Sequence, residues 1–236
     1  MTEPLFLQDS YLREFRADVV KHAGREIFLD RTAFYPGGGG QPPDKGQLKI
    51  GPIQSNVVDV RRQDGNIVHV LDNPIPETVG QINGVLDWDR RYVHMRYHTA
   101  LHLLSGVIWR GFGAKVTGGQ MRADHARMDF SFPGEWTVDV VEEIEQSTNE
   151  ALAEERPVKV YELPREEALK TPDPIRTQVN LVPEHVAMVR IVEIEGLDIQ
   201  ADGGTHVANT SEVGRIELTG HKSKGRQNKR IEFTLR

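Results

Sequence analysis

Short apolar stretches separated by turn signals fill the first 88 residues of the chain. Four of them have the length and residue types of β-strands: Ile27–Leu29, Leu48–Ile50, Val57–Val60 and Ile67–Leu71. Between them lie the segment PGGGGQPP and turn-forming pairs such as Asp64-Gly65. Many short strands with closely spaced turns are typical of small barrels and sandwiches. Residues 1–88 are therefore predicted to form a small β-barrel domain.

The spacing of apolar residues changes to a helical period after Asp89, which is a plausible N-cap. The period continues to a Gly111-Phe112-Gly113 stop, and its apolar positions are Tyr92, Val93, Met95, Tyr97, Leu101, Leu104, Val107 and Ile108. A second helix is predicted over residues 138–154, and a short third helix after Pro164, a favourable first-turn residue.

Strand patterns return beyond Leu181, at residues 187–194, 215–218 and 230–235. Residues 89–236 are therefore predicted to form an α+β domain. The fold class predicted for the whole chain is α+β, with the small N-terminal β-barrel domain first and the α+β domain second.

Composition narrows the functional classes. The chain has no cysteine, which excludes disulfides and thiolate chemistry and favours a cytoplasmic location. It has no apolar run approaching the ~20 residues that span a bilayer, and its first residues do not resemble a secretory signal. The formal net charge of −6 argues against a general nucleic-acid coat, so any RNA contact needs a local basic surface.

Two histidines lie four residues apart inside the first predicted helix, in the segment His98-Thr-Ala-Leu-His102. This spacing places both imidazoles on one helical face, about one turn apart, as two ligands of a single metal ion require. Zinc proteases share the spacing but use an intervening glutamate as general base, and here that glutamate is absent. The other interpretation of the pair is two hydrogen-bonded histidines at an interface.

A second candidate segment is Asp202-Gly-Gly-Thr-His206. Its adjacent glycines allow a tight backbone turn, so that Asp202 and His206 can converge from a loop. Together with His98 and His102 they would supply three or four ligands to zinc or a related divalent ion. Taken alone, the segment is better explained as a simple turn.

Both segments together, with three further motifs in order, identify a resemblance. The motifs are FYPGGGGQPPDKGQL (34–48), RYHTALHLLSGV (96–107), KVTGGQMRADHARMDFSF (115–132), DIQADGGTHVANTSEVG (198–214) and KSKGRQNKRIEF (222–233). In these the chain resembles the AlaX family of trans-editing proteins, which are similar to the editing domain of alanyl-tRNA synthetase. The glycine-rich N-terminal region is similar to that of the medium-length form.

The resemblance implies a trans-editing hydrolase that deacylates mischarged alanine tRNA, with serine as the misattached amino acid and glycine as a second candidate. It also implies one Zn²⁺ ion bound by His98, His102, residue 202 and His206. This family usually has a cysteine where the chain has Asp202. A carboxylate is a harder ligand than a thiolate, so we expect weaker zinc binding and tolerance of other divalent ions.

The resemblance also points to substrate-contacting residues in the N-terminal region. Discriminating serine from alanine requires a polar group that satisfies the extra hydroxyl, and Thr32 is the candidate. Gln41 is expected to reach the same substrate, and the run Gly37, Gly38, Gly39 and Gly40 would allow backbone amides to approach it. The alternatives are an ordinary strand threonine and a flexible turn. The remaining histidines, His69 among them, show no ligand spacing and receive no role.

A basic segment near the C-terminus is the candidate contact for RNA phosphates. Its residues are Lys222, Lys224, Arg226, Lys229 and Arg230, and Arg90, Arg91 and Arg96 are expected to extend the surface. The expected partner is alanine tRNA carrying a wrong amino acid, with no membrane and no obligate protein partner.

Two other functions remain open on the sequence. The Asp202 departure allows a non-catalytic relative that binds aminoacyl-tRNA at a degraded metal site. Two histidines and one carboxylate would also suit an iron oxygenase.

Overall fold

A computed structural model of the chain describes residues 1–78, 80–168, 170, 186–225 and 228–236. The chain divides into two compact units, Met1–Met95 and Arg96–Arg236, and the division falls inside one long helix. None of the helices in the described ranges is long and apolar enough to cross a membrane.

The first unit is built almost entirely from strands. Its strands are β1 (Glu3–Pro4), β2 (Glu14–Ala23), β3 (Glu26–Leu29), β4 (Arg31–Thr32), β5 (Gly46–Ile50), β6 (Ile53–Gln63), β7 (Asn66–Leu71) and β8 (Gln81–Leu86). Six of them close into a barrel in the order β2-β3-β7-β6-β5-β8, every pair antiparallel, while β1 and β4 pair in parallel beside it. The predicted small N-terminal barrel is confirmed.

Apolar residues of the barrel strands face a common interior, and in β6 a bulge between Val57 and Asp59 brings Val60 to the same side as Val57. In β2 the inward positions Phe15 and Ala17 are buried while their neighbours are exposed, and β6 buries Val57 and Val60 in the same interior. The β6–β7 turn is Asp64-Gly65, in which both residues have positive φ (48° and 76°), as expected for a tight two-residue hairpin. The pair Asp64-Gly65 therefore forms a turn, as predicted.

The second unit mixes helices with two sheets. Its elements are α1 (Trp88–Phe112, which begins in the first unit), β9 (Lys115–Met121), β10 (Ala126–Ser131), α2 (Val138–Ala153), β11 (Val158–Pro164), α3 (Arg165–Ala168), β12 (Met188–Ile194), β13 (Asp198–Ala201), β14 (Ile216–Ser223) and β15 (Asn228–Leu235). One antiparallel sheet has the order β14-β15-β10-β9 and the other the order β11-β12-β13. The predicted α+β class is confirmed.

The N-cap of helix α1 lies two residues before the predicted one, and the helix begins at Trp88. Asp87, not Asp89, caps it, because the Asp87 Oδ1 atom accepts a hydrogen bond of 3.2 Å from the backbone N–H of Arg90. Asp89 lies in the first turn, where a negative charge is favourable. The helix ends at Phe112. The next residue, Gly113, has a φ of 64°, the left-handed conformation that commonly terminates a helix.

Helix α2 covers an edge of the four-stranded sheet. Thr137 caps it through a 3.3 Å bond from the N–H of Val140. On its inner side Asn149 exchanges two hydrogen bonds of 2.8 and 3.0 Å with the backbone of Ile216, and Glu145 accepts 3.0 Å from the N–H of Leu218. These side chains satisfy backbone groups of the edge strand β14, which would otherwise be open to another strand.

Candidate metal centre

Helix α1 supplies two buried imidazoles to the site. His98 is 3% exposed and His102 6% exposed, and their ring centroids lie 5.3 Å apart. Both positions lie on the side of the helix that meets strand β13. The spacing of four residues therefore acts as predicted, with one helical face presenting both rings.

The loop after β13 supplies the Asp202 carboxylate and the His206 imidazole. Gly204 determines how closely the backbone of this loop approaches His98. A Cβ atom at Gly204 would lie 2.2 Å from His98 Cε1 and 2.3 Å from His98 Nδ1, while one at Gly203 would meet nothing within 4 Å. Only a residue without a side chain allows the loop backbone to pack against the His98 ring. The second glycine of the pair is thus required by close approach, and the first is not.

The four predicted ligand residues converge. Ligand atoms of His98, His102, Asp202 and His206 all lie within 4.8 Å of one another. The Nε2 atom of His206 is 3.0 Å from Asp202 Oδ2, and the Nε2 atom of His98 is 3.6 Å from Asp202 Oδ1. The rings of His98 and His206 stack with centroids 4.4 Å apart. Three imidazoles and one carboxylate exceed the facial triad of an iron oxygenase, so that alternative loses its geometric basis.

Hydrogen bonds orient two of the imidazoles for coordination. The Nδ1 atom of His102 is 2.9 Å from Asp198 Oδ2, and the Nδ1 atom of His206 is 3.2 Å from Thr99 Oγ1. In the tautomer in which Nδ1–H donates to these partners, the Nε2 atom of each ring carries the lone pair that binds a cation. In the other neutral tautomer of His206, Nε2–H donates to Asp202 Oδ2 at 3.0 Å. Donor type, burial and orientation together fit a divalent metal ion with N and O ligands.

Electrostatics favour the metal-binding forms of the loop residues. Burial by itself raises the pKa of Asp202, but the charge of His98 and the hydrogen bond from His206 outweigh it, so this pKa lies well below its usual range. Burial lowers the pKa of His206 well below its usual value, and the charge of His98 lowers it further. At neutral pH the loop therefore presents a carboxylate and a neutral imidazole, the forms that bind a cation.

Thr32, the candidate for recognising a hydroxyl, is fully buried in the first unit. Its Oγ1 atom lies 2.8 Å from His69 Nε2 and accepts a 3.1 Å bond from the N–H of Phe34. The other ring nitrogen of His69 is 3.3 Å from the carbonyl oxygen of Ile27. Burial lowers the pKa of His69 to about 4, which makes it neutral at pH 7. Thr32 is thus held at the base of the glycine-rich segment.

The glycine run forms a tight reversal. All four glycines, Gly37 to Gly40, have positive φ, and Gly38 exchanges backbone hydrogen bonds of 3.0 and 2.8 Å with Gln41. The Tyr35 hydroxyl donates 3.0 Å to the carbonyl of Gly38. Gln41 is 3% exposed. Consecutive residues with positive φ explain why glycine fills each position.

A buried ion pair anchors the end of this segment. Arg91, fully buried on α1, donates its Nε to both carboxylate oxygens of Asp44 at 3.1 and 3.0 Å, and its Nη2 also contacts Oδ2. Asp44 accepts 2.7 Å from the N–H of Tyr35. The guanidinium also donates to the carbonyls of Ser10 and Ala33, at 2.9 and 2.5 Å. The expectation that Arg91 extends an RNA-binding surface was therefore wrong, because its charge is neutralised inside the unit.

The basic hairpin β14–β15 contains cations of two kinds. Lys222 and Lys224 are exposed, and the Nζ atom of Lys224 lies 3.6 Å from Asp129 Oδ2. Lys229 is 6% exposed and donates to Ser223 Oγ at 2.7 Å and to the carbonyl of Gly225 at 3.0 Å. Arg230 forms a two-point ion pair with Asp129, at 2.6 and 2.7 Å. Arg226 lies outside the described residues.

The sequence did not reveal the supporting residues of either cluster. Asp198, Thr99 and Gln200 lie within the motifs at 96–107 and 198–214, but no ligand spacing or residue type gives them a role in the sequence. His69 was assigned no role, yet it is the partner of Thr32. A buried polar residue within a predicted strand was the only signal for it.

Comparisons with known proteins agree with this arrangement. The family described as "Threonyl and Alanyl tRNA synthetase second additional domain" matches residues 189–232, which include the Asp202–His206 loop. The family described as "tRNA synthetases class II (A)" matches residues 6–90, which include the barrel.

Three relatives illustrate the range of matching proteins. The alanyl-tRNA editing protein AlaX-M of Saccharolobus solfataricus is 41% identical over 239 residues, covering 100% of both chains. The alanine–tRNA ligase of Pyrococcus abyssi is 40% identical over 92% of this chain but only 24% of its own. The AlaX-L protein of Pyrococcus horikoshii is 38% identical over 99% of this chain and 58% of its own. Because the similarity to AlaX-M extends over the whole length of both proteins, the chain belongs to the AlaX family of alanyl-tRNA editing proteins.

Proposed function

We propose that the protein is a free-standing cytoplasmic hydrolase that removes serine, and as a second substrate glycine, from mischarged alanine tRNA. The convergence of His98, His102, Asp202 and His206 carries the proposal. The reaction cleaves the ester between the amino acid and the terminal ribose, and water supplies the hydroxyl of the released acid. Membership of the AlaX family supplies the substrate class.

Zn²⁺ is the ion proposed for this cluster. Bound there, it would supply Lewis acidity that polarises a carbonyl oxygen or lowers the pKa of a water toward about 7. The Nε2 atoms of the three histidines and a carboxylate oxygen of Asp202 would hold it. Because Gly204 N–H donates to Asp202 Oδ2 at 2.5 Å, the carboxylate is fixed in direction before binding. An oxygen ligand predicts weaker zinc affinity than a thiolate and wider acceptance of other divalent ions.

We assign recognition of the amino acid to the glycine-rich segment of the first unit. Gly37 to Gly40 would let backbone groups approach the aminoacyl end, and Gln41 would supply a polar side chain to it. The buried hydroxyl of Thr32 would act from the base of the segment, with His69 fixing its direction. A site that hydrogen-bonds a hydroxyl discriminates more strongly than one that senses a methylene, which favours serine over alanine.

RNA phosphates would contact the β14–β15 hairpin. Lys222 is an exposed cation suited to this contact. Lys224 is also exposed, although its Nζ lies 3.6 Å from Asp129 Oδ2. Arg226 lies between the two strands in sequence. Lys229 and Arg230 are bonded to groups within the unit, so their contribution is to hold the hairpin in shape. Such contacts depend on salt and are independent of the attached amino acid.

A second candidate function is binding of aminoacyl-tRNA without cleavage. The replacement of the family's usual cysteine by Asp202 favours it, because a weaker metal site could support binding after catalysis has been lost. Both functions require the same tRNA, so only ester cleavage separates them.

The decisive experiment follows loss of the ester from seryl-, glycyl- and alanyl-tRNA of the alanine acceptor, with zinc added and with chelator. We expect rapid loss of the seryl ester, sparing of the alanyl ester and inhibition by the chelator. His206→Ala should reduce the rate by more than the ~10–100-fold that loss of an outer-shell partner costs. His125→Ala, at a half-exposed histidine outside the cluster, is the matched control. Survival of all three esters with intact tRNA binding would establish the second candidate instead.

A further inference from the structure

We propose that Asp198 is a positioning residue for His102, and that its negative charge strengthens the metal site from outside the ligand set. The inference rests on the metal site of the proposed function. Asp198 is 1% exposed and carries the Oδ2 atom that lies 2.9 Å from His102 Nδ1. It is not one of the four clustered ligand residues.

The carboxylate determines the tautomer of the His102 ring. An ionised carboxylate only accepts hydrogen bonds, so the Nδ1 atom facing it must carry the proton. The Nε2 atom then carries the lone pair that can coordinate a cation, and the adjacent negative charge makes it a stronger donor. A neutral amide in the same place would orient the ring without supplying this charge.

A second set of contacts holds Asp198 in place. The Nε2 atom of Gln200 donates to both carboxylate oxygens, at 3.1 and 3.0 Å, and lies 3.3 Å from Ser105 Oγ. Ser105 follows His102 on α1, so the amide links the strand back to the helix that bears the ligand. Buried carboxylates without such donors are costly. The Gln200 amide therefore stabilises the carboxylate that faces the Nδ1 atom of His102.

Glycine allows the strand to approach the helix at this point. A Cβ atom at Gly106 would lie 3.1 Å from the Leu197 side chain and 3.3 Å from Asp198 Cβ. Gly106 is four residues after His102, on the same helical face. The close packing of β13 on α1 brings the Asp198 carboxylate within hydrogen-bonding distance.

The Nδ1 atoms of His206 and His102 face different kinds of partner. His206 has the neutral hydroxyl of Thr99 at 3.2 Å, whereas His102 has a carboxylate at 2.9 Å. A charged acceptor forms the stronger bond. We therefore expect metal affinity to depend more on Asp198 than on Thr99.

The test measures zinc affinity by competition with a chromogenic chelator, and the visible spectrum of the Co²⁺-substituted full-length protein. Asp198→Asn preserves shape and one acceptor oxygen but removes the charge. We expect a ~10–100-fold loss of zinc affinity and an altered Co²⁺ spectrum. Asp124→Asn is the matched control, because Asp124 also faces a histidine Nδ1, that of His125 at 2.7 Å, but lies outside the cluster.

A double variant separates charge from hydrogen bonding. In Asp198→Asn the new amide faces the Gln200 amide, donor against donor, and adding Gln200→Glu restores a donor–acceptor pair with the charge moved away from His102. We expect D198N/Q200E to recover the thermal stability of the metal-free protein while zinc affinity stays low. Full recovery of affinity would overturn the proposed role of the charge.

Three further outcomes distinguish this inference from the proposed function. Unchanged affinity and spectrum in Asp198→Asn would overturn the positioning role, even if the wild-type protein cleaves seryl-tRNA. Conversely, a wild-type protein that binds zinc through Asp198-supported His102 but leaves every ester intact would support the inference and refute the hydrolase. A wild-type protein that binds no divalent ion would overturn the inference, while chelator-insensitive ester cleavage would still support a hydrolase.

Discussion

At Gly204 the four-residue cluster leaves no room for a side chain. Its missing side chain is the space that the His98 ring occupies, with contacts of 2.2 and 2.3 Å from any added Cβ. At these distances an added Cβ would force either the His98 ring or the loop backbone to move. A shift of about 1 Å would take the imidazole out of position for coordinating a metal ion.

We predict that Gly204→Ala lowers zinc affinity at least ~10-fold, because displacing His98 damages a ligand itself rather than an outer-shell partner. Gly203→Ala should bind zinc like the wild-type protein, since a Cβ there meets nothing within 4 Å. Chelator competition on both variants makes the comparison. Equal affinities for the two would show that the loop does not pack on His98 as described.

The clustering of His98, His102, Asp202 and His206 could be predicted from the sequence, whereas the residues that support them could not. The His98/His102 spacing and the Asp202–His206 loop carry fixed intervals that a single element imposes. Asp198 and Thr99 act across elements, and their role depends on how β13 packs against α1. No local interval encodes that approach, and the glycine that permits it, Gly106, looks like any helix glycine in the sequence.

Helix α1 and the glycine-rich segment are joined by the Arg91–Asp44 pair, in which both side chains are at most 1% exposed. Removing one partner leaves the other charge buried without compensation, which is far costlier than losing a surface pair.

We therefore predict that Asp44→Ala lowers the free energy of unfolding by about 3–5 kcal/mol. Glu26→Ala is the matched control, because it removes the half-exposed Arg61–Glu26 pair of the same unit, and it should cost less than about 1 kcal/mol. Urea denaturation of the three proteins measures both values. Similar losses in the two variants would mean that Arg91 finds another partner or reaches solvent.

Element boundaries show where sequence patterns succeed and fail. The long helix was predicted to within a residue or two at its ends, because its apolar period and Gly113 are local signals. Strand β9, Lys115–Met121, was not predicted, since the Gly118-Gly119 pair lowers strand propensity and its pairing with β10 is a tertiary effect. Strand β2 was missed for a related reason: its exposed face is so polar that alternation is hard to distinguish from a loop.

At the scale of the whole molecule, the buried residue His69 makes the free energy of unfolding depend on pH. The pKa of His69 falls from 6.5 in the unfolded chain to about 4 in the folded barrel, because burial disfavours the charged ring. Between these values the unfolded chain binds the extra proton, so stability is complete above pH 6.5 and decreases as pH falls toward 4.

We predict that, through His69 alone, lowering the pH from 6.5 to 4 decreases the free energy of unfolding by about 3 kcal/mol, with a slope of up to about 1.4 kcal/mol per pH unit. His69→Gln retains a donor and an acceptor for Ile27 and Thr32 but cannot titrate, so its unfolding free energy should change less steeply with pH. Urea unfolding at several values from pH 7 to 4.5 tests this, with His125→Gln as the surface control. The same slope in His69→Gln and wild type would contradict the prediction.

The class and order of the two regions followed from the sequence, since periodicity alone separates a barrel of short strands from a region containing long helices. The resemblance of ordered motifs then supplied the function class, which relatives matching the entire chain support. The ion pair Arg91–Asp44 and the Thr32–His69 contact link residues far apart in sequence, and such links arise only from the closed fold.

Support in the candidate metal centre is reciprocal: the helix residue Thr99 orients His206 of the loop, and the strand residue Asp198 orients His102 of the helix. Neither segment is therefore a portable module. A helix bearing His98 and His102, transplanted into another protein, would arrive without the group that fixes its tautomer, and the loop transplanted alone would lack the hydroxyl that aims His206. An engineer who wishes to move this centre must move both segments with their packing, and natural recombination faces the same constraint.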